Sequence, residues 1–242
     1  MSSPSAPAQQ HPSTPAPRLR HQGPHIGALA IVWTVLFCAG LAPVTTFGGR
    51  PYFPGPWAPP SAFAAFFQTR PTAVLACAFF HFSAAIVLGI FTASAVNQMR
   101  FLGVRAAGVN IALFGGFATA FNIIAGSMVL WTLTHPIVSA DAALTTALYF
   151  LDFGFGGVGF SVPYGLLMLG LSIPAGFLRL LPKWIVISGV ALGAIGVLST
   201  LDIAFPQALP LIPLTRFPGF LWLIAAGFAL PRTTTAVRAS LA

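Results

Sequence analysis

The chain alternates between long apolar runs and short segments rich in proline or polar residues. Five runs are long enough to cross about 30 Å of hydrocarbon as α-helices. They occupy residues 26–46, 71–96, 106–134, 160–181 and 184–205. A sixth run, residues 214–230, is shorter and begins beside Arg216 and Pro218, so we expect it to be tilted or to start in the interface. The pattern predicts an all-α polytopic membrane bundle of about six transmembrane helices.

Residues 141–155 do not fit a simple count of crossings. With the run that follows, they make an apolar stretch of about 40 residues, which is too long for one crossing and has no loop for two. We therefore predict an interfacial or half-inserted helix over residues 141–153 on the outer side. Glycines at 154, 156, 157 and 159 would turn it into the fourth span.

The two ends of the chain differ from the apolar part. Residues 1–25 are rich in Pro, Ser, Ala and Gln, so we predict a disordered cytoplasmic tail. The run from Ile26 follows basic residues as in a signal peptide, but its length and its end at Pro43 favour an uncleaved first helix. The predicted organisation is a tail over residues 1–25, a six-helix transmembrane domain over 26–232 and a cytoplasmic tail over 233–242.

Composition agrees with a membrane protein. Hydrophobic residues make up 57% of the 242 positions and charged residues 6%, and the mean hydropathy is +0.88. A formal net charge of +8 suggests nucleic acid, but the basic residues are spread singly or in pairs along the chain. We therefore expect the lipid bilayer as the main partner and no nucleic acid.

Basic residues also predict the orientation. With the amino terminus inside, inner segments carry eight basic residues: Arg18, Arg20, Arg100, Arg105, Arg179, Lys183, Arg232 and Arg238. Outer segments carry three: Arg50, Arg70 and Arg216. Because cytoplasmic loops are enriched in Lys and Arg, this count predicts that both termini are cytoplasmic.

The outer loop, residues 47–70, combines prolines with many aromatic side chains. We expect it to lie on the bilayer surface as an aromatic belt. A loop that contacts a substrate is the alternative.

Two polar residues lie at similar depth inside predicted spans. His81 is in the second span and Asn122 in the third, and a short connection makes these helices antiparallel neighbours. A hydrogen bond between the two side chains is the structural interpretation. The alternative is a functional polar site, because polar groups in hydrocarbon are costly.

Three charged residues form a second candidate site near the outer boundary. Asp202 ends the fifth span and Arg216 begins the sixth, which predicts an ion pair, and Asp152 comes near through the glycine-rich turn. An outward-facing polar pocket is the functional alternative.

Motifs for catalysis, metals or cofactors are weak. GFGGVG at 154–159 matches the spacing of a dinucleotide fingerprint but lacks the strand and aqueous context that binding requires. Cys38 and Cys77 lie in apolar runs without further ligands, and one intramembrane histidine does not predict a two-histidine haem. We expect no catalytic motif, no metal site and no cofactor. Gly189 and Gly193 predict close helix packing, within the chain or against a second copy.

Two carboxyl-terminal segments carry a resemblance. GFSVPYGLLMLGLSIPAGFLRLLPKW and RFPGFLWLIAAGFALPRT resemble an uncharacterised family of bacterial multi-pass inner-membrane proteins, known as a domain of unknown function. The resemblance implies a bacterial inner-membrane protein of about six spans and assigns no functional residue.

The function predicted from these features is non-enzymatic: transport, sensing or assembly of a membrane complex. The alternative is a membrane-embedded enzyme that acts on a lipid or quinone near the outer face, with Asp152, Asp202 and His135 in acid–base roles. A homo-oligomer or another membrane protein stays open as a partner.

Overall fold

The computed structural model describes residues 20–233, and the chain folds there into α-helices. The predicted tails lie outside this stretch except for residues 20–25 and 233. The helices are α1 (Ile26–Leu41), α2 (Pro60–Thr69), α3 (Pro71–Phe101), α4 (Gly108–Leu133), α5 (Pro136–Ser139), α6 (Ala142–Gly156), α7 (Val158–Phe177), α8 (Lys183–Leu198) and α9 (Leu211–Ala229). Short 3-10 turns follow α1 and connect α8 to α9.

Within the described part, six stretches are long and apolar enough to cross a membrane. They are Ile26–Val44, Pro71–Phe101, Gly108–Leu133, Ala142–Phe177, Lys183–Ile203 and Pro206–Ala229. Large apolar side chains such as Phe79, Phe121 and Leu221 are exposed on the outside of the bundle. The prediction of an all-α polytopic bundle is confirmed, and the six apolar helices define the class as an integral membrane protein.

The spanning helices form a closed ring. Each one packs against the next along the chain, in the order α1, α3, α4, α7, α8 and α9, and α9 returns to α1. The last contact is closest at the inner ends, where a Cβ on Gly227 would lie 2.8 Å from the Cα of Gly27. The most extensive packing is between α4 and α7.

Glycines permit the close approach of α4 and α7. A Cβ on Gly115 would lie 2.5 Å from the backbone nitrogen of Leu167, and one on Gly170 would lie 2.5 Å from that of Ala112. Because backbone atoms cannot move aside as flexible side chains do, these contacts require glycine.

Gly189 and Gly193 of α8 find their partners within the chain. A Cβ on Gly193 would lie 2.8 Å from the carbonyl oxygen of Gly165 in α7, and one on Gly189 would meet Ser172 and Trp222. Both glycines thus have packing partners within one chain, as the first of the two predicted alternatives expects.

Helix α6 covers the segment that the sequence predicts to be interfacial or half-inserted. It packs along α4 and continues into α7 after one interruption at Gly157, where φ is −85° and ψ is −105°. The combined stretch Ala142–Phe177 has 36 residues, about 54 Å of helix, so its outer part extends beyond the hydrocarbon. The glycines break the helix but do not reverse the chain.

The outer loop differs from the predicted belt. Residues 60–69 form helix α2, whose Phe63, Phe66 and Phe67 are 1% exposed. The Phe63 ring stacks on Tyr149 of α6 at 4.0 Å, and the Tyr149 hydroxyl donates to the carbonyl of Pro54 at 2.7 Å. These aromatic side chains fill a second core under the loop, because helix α2 turns them toward α6 instead of the bilayer.

Candidate functional site

A cavity of about 400 Å³ lies inside the ring, in its outer half. Its walls come from α1, α3, α4, α6, α7 and α9, and from the outer loop. The volume is in the range of small-molecule sites. The lining is Phe37, Leu41, Val44, Thr45, Phe53, Pro56, Trp57, Cys77, His81, Asn122, Ile123, Gly126, Ser127, Leu130, Asp152, Phe153, Gly156, Gly157, Phe160, Leu209, Ile212, Pro213 and Arg216.

The cavity is closed toward the end of the bundle that carries Gly27 and Gly227, and it reaches the surface at the end that carries the loop of residues 47–70. Below it, Trp33 is fully buried and packs edge-on against Phe220, with ring centroids 4.8 Å apart. Tyr164 is also fully buried and packs against Trp33. At the outer end, the lining residue Trp57 is 79% exposed. Access is therefore from the end of the bundle that carries this loop.

Arg216 extends from the first turns of α9 into the cavity wall. Its guanidinium carbon lies 4.5 Å from the ring centroid of Phe160 and 5.8 Å from that of Phe37. Its Nη2 atom donates to the carbonyl of Gly156, the last residue of α6. Its Nε atom is buried and has no hydrogen-bond partner in the described chain. The cation is thus held by aromatic faces and one carbonyl, with donors left over.

Asp152 of α6 is the acidic group of the cavity. The residue is 9% exposed, and a Cβ on Gly126 of α4 would lie 3.1 Å from its Oδ1 atom. Gly126 lies seven residues before the end of α4, about 10 Å inside it. Neither carboxylate oxygen accepts a hydrogen bond from a residue in the range 20–233. Asp152 is therefore an unpartnered buried carboxylate that lines the cavity.

The predicted ion pair between Asp202 and Arg216 is wrong. Within residues 20–233, no Lys, Arg or His nitrogen comes within 4.0 Å of an aspartate oxygen. Asp202 lies in the 3-10 turn Ser199–Ile203 and does not line the cavity, whereas Asp152 and Arg216 both do. The reason is that α9 directs Arg216 into the ring, while the turn after α8 keeps Asp202 at its periphery.

His81 of α3 is fixed in the cavity wall by both ring nitrogens. Its Nε2 atom lies 3.2 Å from the carbonyl oxygen of Phe37, so Nε2 carries the proton and donates. Its Nδ1 atom lies 3.6 Å from the sulfur of Cys77, one helical turn earlier, and accepts from that thiol. The imidazole also stacks on the Phe37 ring at 4.3 Å. The ring is thus held by contacts at both nitrogens and packs against Phe37.

The predicted hydrogen bond between His81 and Asn122 is also wrong. Asn122 donates from Nδ2 to the carbonyls of Ala118, at 2.9 Å, and Gly159, at 2.7 Å. It therefore ties α4 to the first turn of α7. The two side chains share the cavity without touching, because each finds a backbone carbonyl nearer than the other side chain.

Several residues of the site escaped the sequence analysis. The cavity includes Cys77, which the sequence showed only as a cysteine in an apolar run without further ligands, and the aromatic walls Phe37 and Phe160. The spacing of Cys77 and His81, four residues apart in one helix, is a sequence feature that places them on the same face. No comparable feature marks Phe37 or Phe160, because phenylalanine is common in every span. His135, in contrast, lies outside the cavity and contacts the carbonyl of Trp131 at 3.1 Å.

The described residues contain no group of three or more His, Cys, Asp or Glu side chains able to hold a metal ion. Comparison with known proteins found no matching family model, no matching curated protein and no matching solved structure. Function is therefore argued from the cavity itself.

Proposed function

We propose that this protein binds a small amphiphilic molecule in the outward-open cavity of its membrane bundle, as part of a transport or sensing role. We place it in a bacterial inner membrane, with both termini in the cytoplasm, and in the bacterial multi-pass family that its carboxyl-terminal half resembles. The single observation that carries the proposal is a cavity of about 400 Å³ with apolar walls and two charged side chains, Asp152 and Arg216, that form no salt bridge within residues 20–233.

The position of the cavity supports access from the outer leaflet. The helices α1 and α9 meet at Gly27 and Gly227 near their inner ends, and the cavity lies between their outer ends, beside Leu41 and Ile212. An amphiphile in the outer leaflet would place its apolar part between these helices. Its polar part would then reach Asp152 and Arg216, because a few polar side chains in an apolar pocket fix the orientation of a ligand by binding its polar groups.

The enzymatic alternative has less support. It required Asp152, Asp202 and His135 to converge on one lateral cleft, and only Asp152 lines the cavity. His81 contacts the Cys77 thiol and the Phe37 carbonyl and was not among the residues on which that alternative depended. A binding role needs only the contacts that the cavity offers.

Co-purification tests the proposal. We would purify the full chain in mild detergent, extract small molecules and identify them by mass spectrometry. The matched variants both place a tryptophan on α1: Leu41→Trp enters the cavity, whereas Val35→Trp lies on the bundle exterior, where Val35 is 59% exposed.

An amphiphile should accompany the wild type and Val35→Trp in similar amounts, and Leu41→Trp should retain several-fold less. Equal retention by the two variants would contradict a ligand in the cavity. A wild-type preparation without any bound amphiphile would contradict it as well.

A further inference from the structure

We infer that the ligand of this cavity carries a zwitterionic head: an anionic group that binds Arg216 and a cationic group that binds Asp152. This inference rests on the proposed function and specifies the class of ligand. It begins from one feature of the cavity, namely two opposite charges that line one buried space without forming a direct salt bridge with each other.

The free hydrogen-bonding capacity of Arg216 indicates an anionic group. A guanidinium has five N–H donors, and in the described chain only the bond to the Gly156 carbonyl uses one of them. The faces of Phe160 and Phe37 hold the cation in place but accept no conventional hydrogen bond. A carboxylate or phosphate oxygen is the acceptor that a guanidinium binds best.

The surroundings of Asp152 indicate a cationic group. The residue is nine-tenths buried and lines the cavity, and its carboxylate accepts no hydrogen bond from residues 20–233. An ionised carboxylate is acceptor-only, so it needs donors. Gly126 of α4, beside the carboxylate, has no side chain that could supply one. An ammonium group in the cavity would satisfy it.

The separation of the two side chains rules out a direct salt bridge between them. Removing a charge from water into a membrane interior without a partner is strongly unfavourable. Arg216 and Asp152 are not within 4.0 Å of each other, although both line the same cavity. A ligand with one positive and one negative group compensates both charges at once, whereas an anion or a cation alone leaves one of them unpaired.

The rest of the cavity suits the apolar part of such a ligand. Toward the outer end, the lining consists mainly of apolar side chains, among them Leu41, Val44, Phe53 and Leu130. A chain of about ten carbons fits a cavity of this size. Two sources share this chemistry, an apolar α-amino acid and a zwitterionic lysophospholipid, and they differ in their anionic group.

Four probes with the same chain length separate these contributions. 2-Aminodecanoic acid carries both charges and decanoic acid carries only the negative one. Decylamine carries only the positive charge, and 1-decanol is uncharged. Decanoyl-lysophosphatidylethanolamine is the second zwitterion, with phosphate in place of carboxylate. Each would be titrated calorimetrically into the full chain in nanodiscs, with protein-free nanodiscs as the baseline for partition into lipid.

For the wild type, at least one zwitterion should bind about tenfold or more tighter than decanoic acid and decylamine, because it adds a charge-assisted hydrogen bond. The zwitterion that binds tighter identifies the source as amino-acid-like or phospholipid-like. If the probes bind with equal affinity, the zwitterionic head is refuted while the cavity remains a binding site. If no probe binds, the proposed function fails with it.

Two isosteric or near-isosteric variants give an independent test. Arg216→Gln should weaken binding of the zwitterion and of decanoic acid and leave decylamine unchanged. Asp152→Asn should weaken binding of the zwitterion and of decylamine and leave decanoic acid unchanged. Thermal unfolding would first establish that each variant is folded. If a variant does not fold, the wild-type titrations alone decide whether the ligand head is zwitterionic. A loss that does not depend on the charge of the probe would overturn the inference.

Discussion

The guanidinium carbon of Arg216 lies 4.5 Å from the centroid of the Phe160 ring, and its Nη2 atom donates to the carbonyl of Gly156. This places a cation at the interruption between α6 and α7. The carbonyl is one of those at a helix end that have no partner within the helix. Arg216 therefore connects α9 to the broken helix and lines the cavity at the same time.

Arg216→Lys should lower the free energy of unfolding by about 1–2 kcal/mol, because an ammonium cannot stack on Phe160 and donate to Gly156 in the same geometry. Denaturation in detergent would measure the change. Arg105→Lys is the control, since Arg105 is exposed in the loop between α3 and α4. Equal losses in both variants would contradict the role of Arg216.

Arg70 fastens the outer loop to the bundle. Its Nη1 atom donates to the carbonyls of Gly49 and Arg50, both at 3.0 Å. Its Nη2 atom donates to the carbonyls of Pro43, at 3.0 Å, and Gly48, at 2.6 Å. Replacing the side chain with an apolar one removes all four bonds. Arg70→Met should therefore loosen the segment between α1 and α2, part of which roofs the cavity.

Limited proteolysis from the outer side would measure this loosening. We expect cleavage within residues 47–57 to become several-fold faster in Arg70→Met. Arg50→Met removes a positive charge from the same loop, but the Arg50 side chain only lies over the Tyr52 ring, at 5.8 Å. If Arg50→Met accelerated cleavage as much, loss of charge and not loss of the four bonds would be the cause.

Gly115→Ala should destabilise the bundle by about 2 kcal/mol, because the added methyl group would lie 2.5 Å from backbone atoms of Pro163 and Leu167. The helices α4 and α7 would have to separate. Gly154→Ala is the matched control in α6, where an added methyl group meets no atom within 4 Å. That variant should be neutral or more stable by up to about 1 kcal/mol. Thermal unfolding of the two variants side by side measures the difference.

Cysteine labelling tests the orientation. A membrane-impermeant maleimide added to intact cells should label Trp57→Cys, because position 57 is exposed in the outer loop. It should not label Arg105→Cys, which lies in the exposed loop between α3 and α4. The wild type, with Cys38 and Cys77 in spanning helices, supplies the background. Labelling of position 105 from outside would reverse the proposed topology.

His21 predicts a pH dependence of stability at the opposite end of the bundle, before the first span. The residue is buried, its Nε2 atom lies 2.9 Å from the side-chain nitrogen of Asn97, and its backbone N–H donates to the carbonyl of Arg232 at 2.9 Å. Burial lowers the pKa of His21 below its ordinary value of 6.5, and the positive charge of Arg232 lowers it further.

A histidine with a lowered pKa binds its proton more weakly in the folded chain than in the unfolded one. Its contribution to stability is therefore present above about pH 6.5 and is lost as the pH falls below that value. The melting temperature of the wild type should decrease between about pH 7.5 and pH 5. In His21→Gln the decrease should be smaller, and an identical decrease in both proteins would rule out His21 as the cause.

The number and approximate bounds of the spanning helices were predictable from the sequence. In a bilayer the backbone must satisfy its own hydrogen bonds, so an apolar run of sufficient length has few alternatives to a helix. The same argument located the irregular segment at residues 154–159, where four glycines interrupt the apolar pattern. It also brought Asp152 and Arg216 forward as candidates, since charged side chains are rare in such runs.

Which polar residues meet was decided only by the tertiary structure. Helices that face lipid on one side and protein on the other are apolar all round, so periodicity does not reveal which face lies inside. The sequence placed Arg216 beside Asp202 because the two are close along the chain. In the structure, the Arg216 side chain points away from the loop that carries Asp202. It contacts the Phe160 ring and the Gly156 carbonyl instead. Helix rotation and the closure of α9 onto α1, neither of which has a local sequence pattern, bring Arg216 and Asp152 into one cavity.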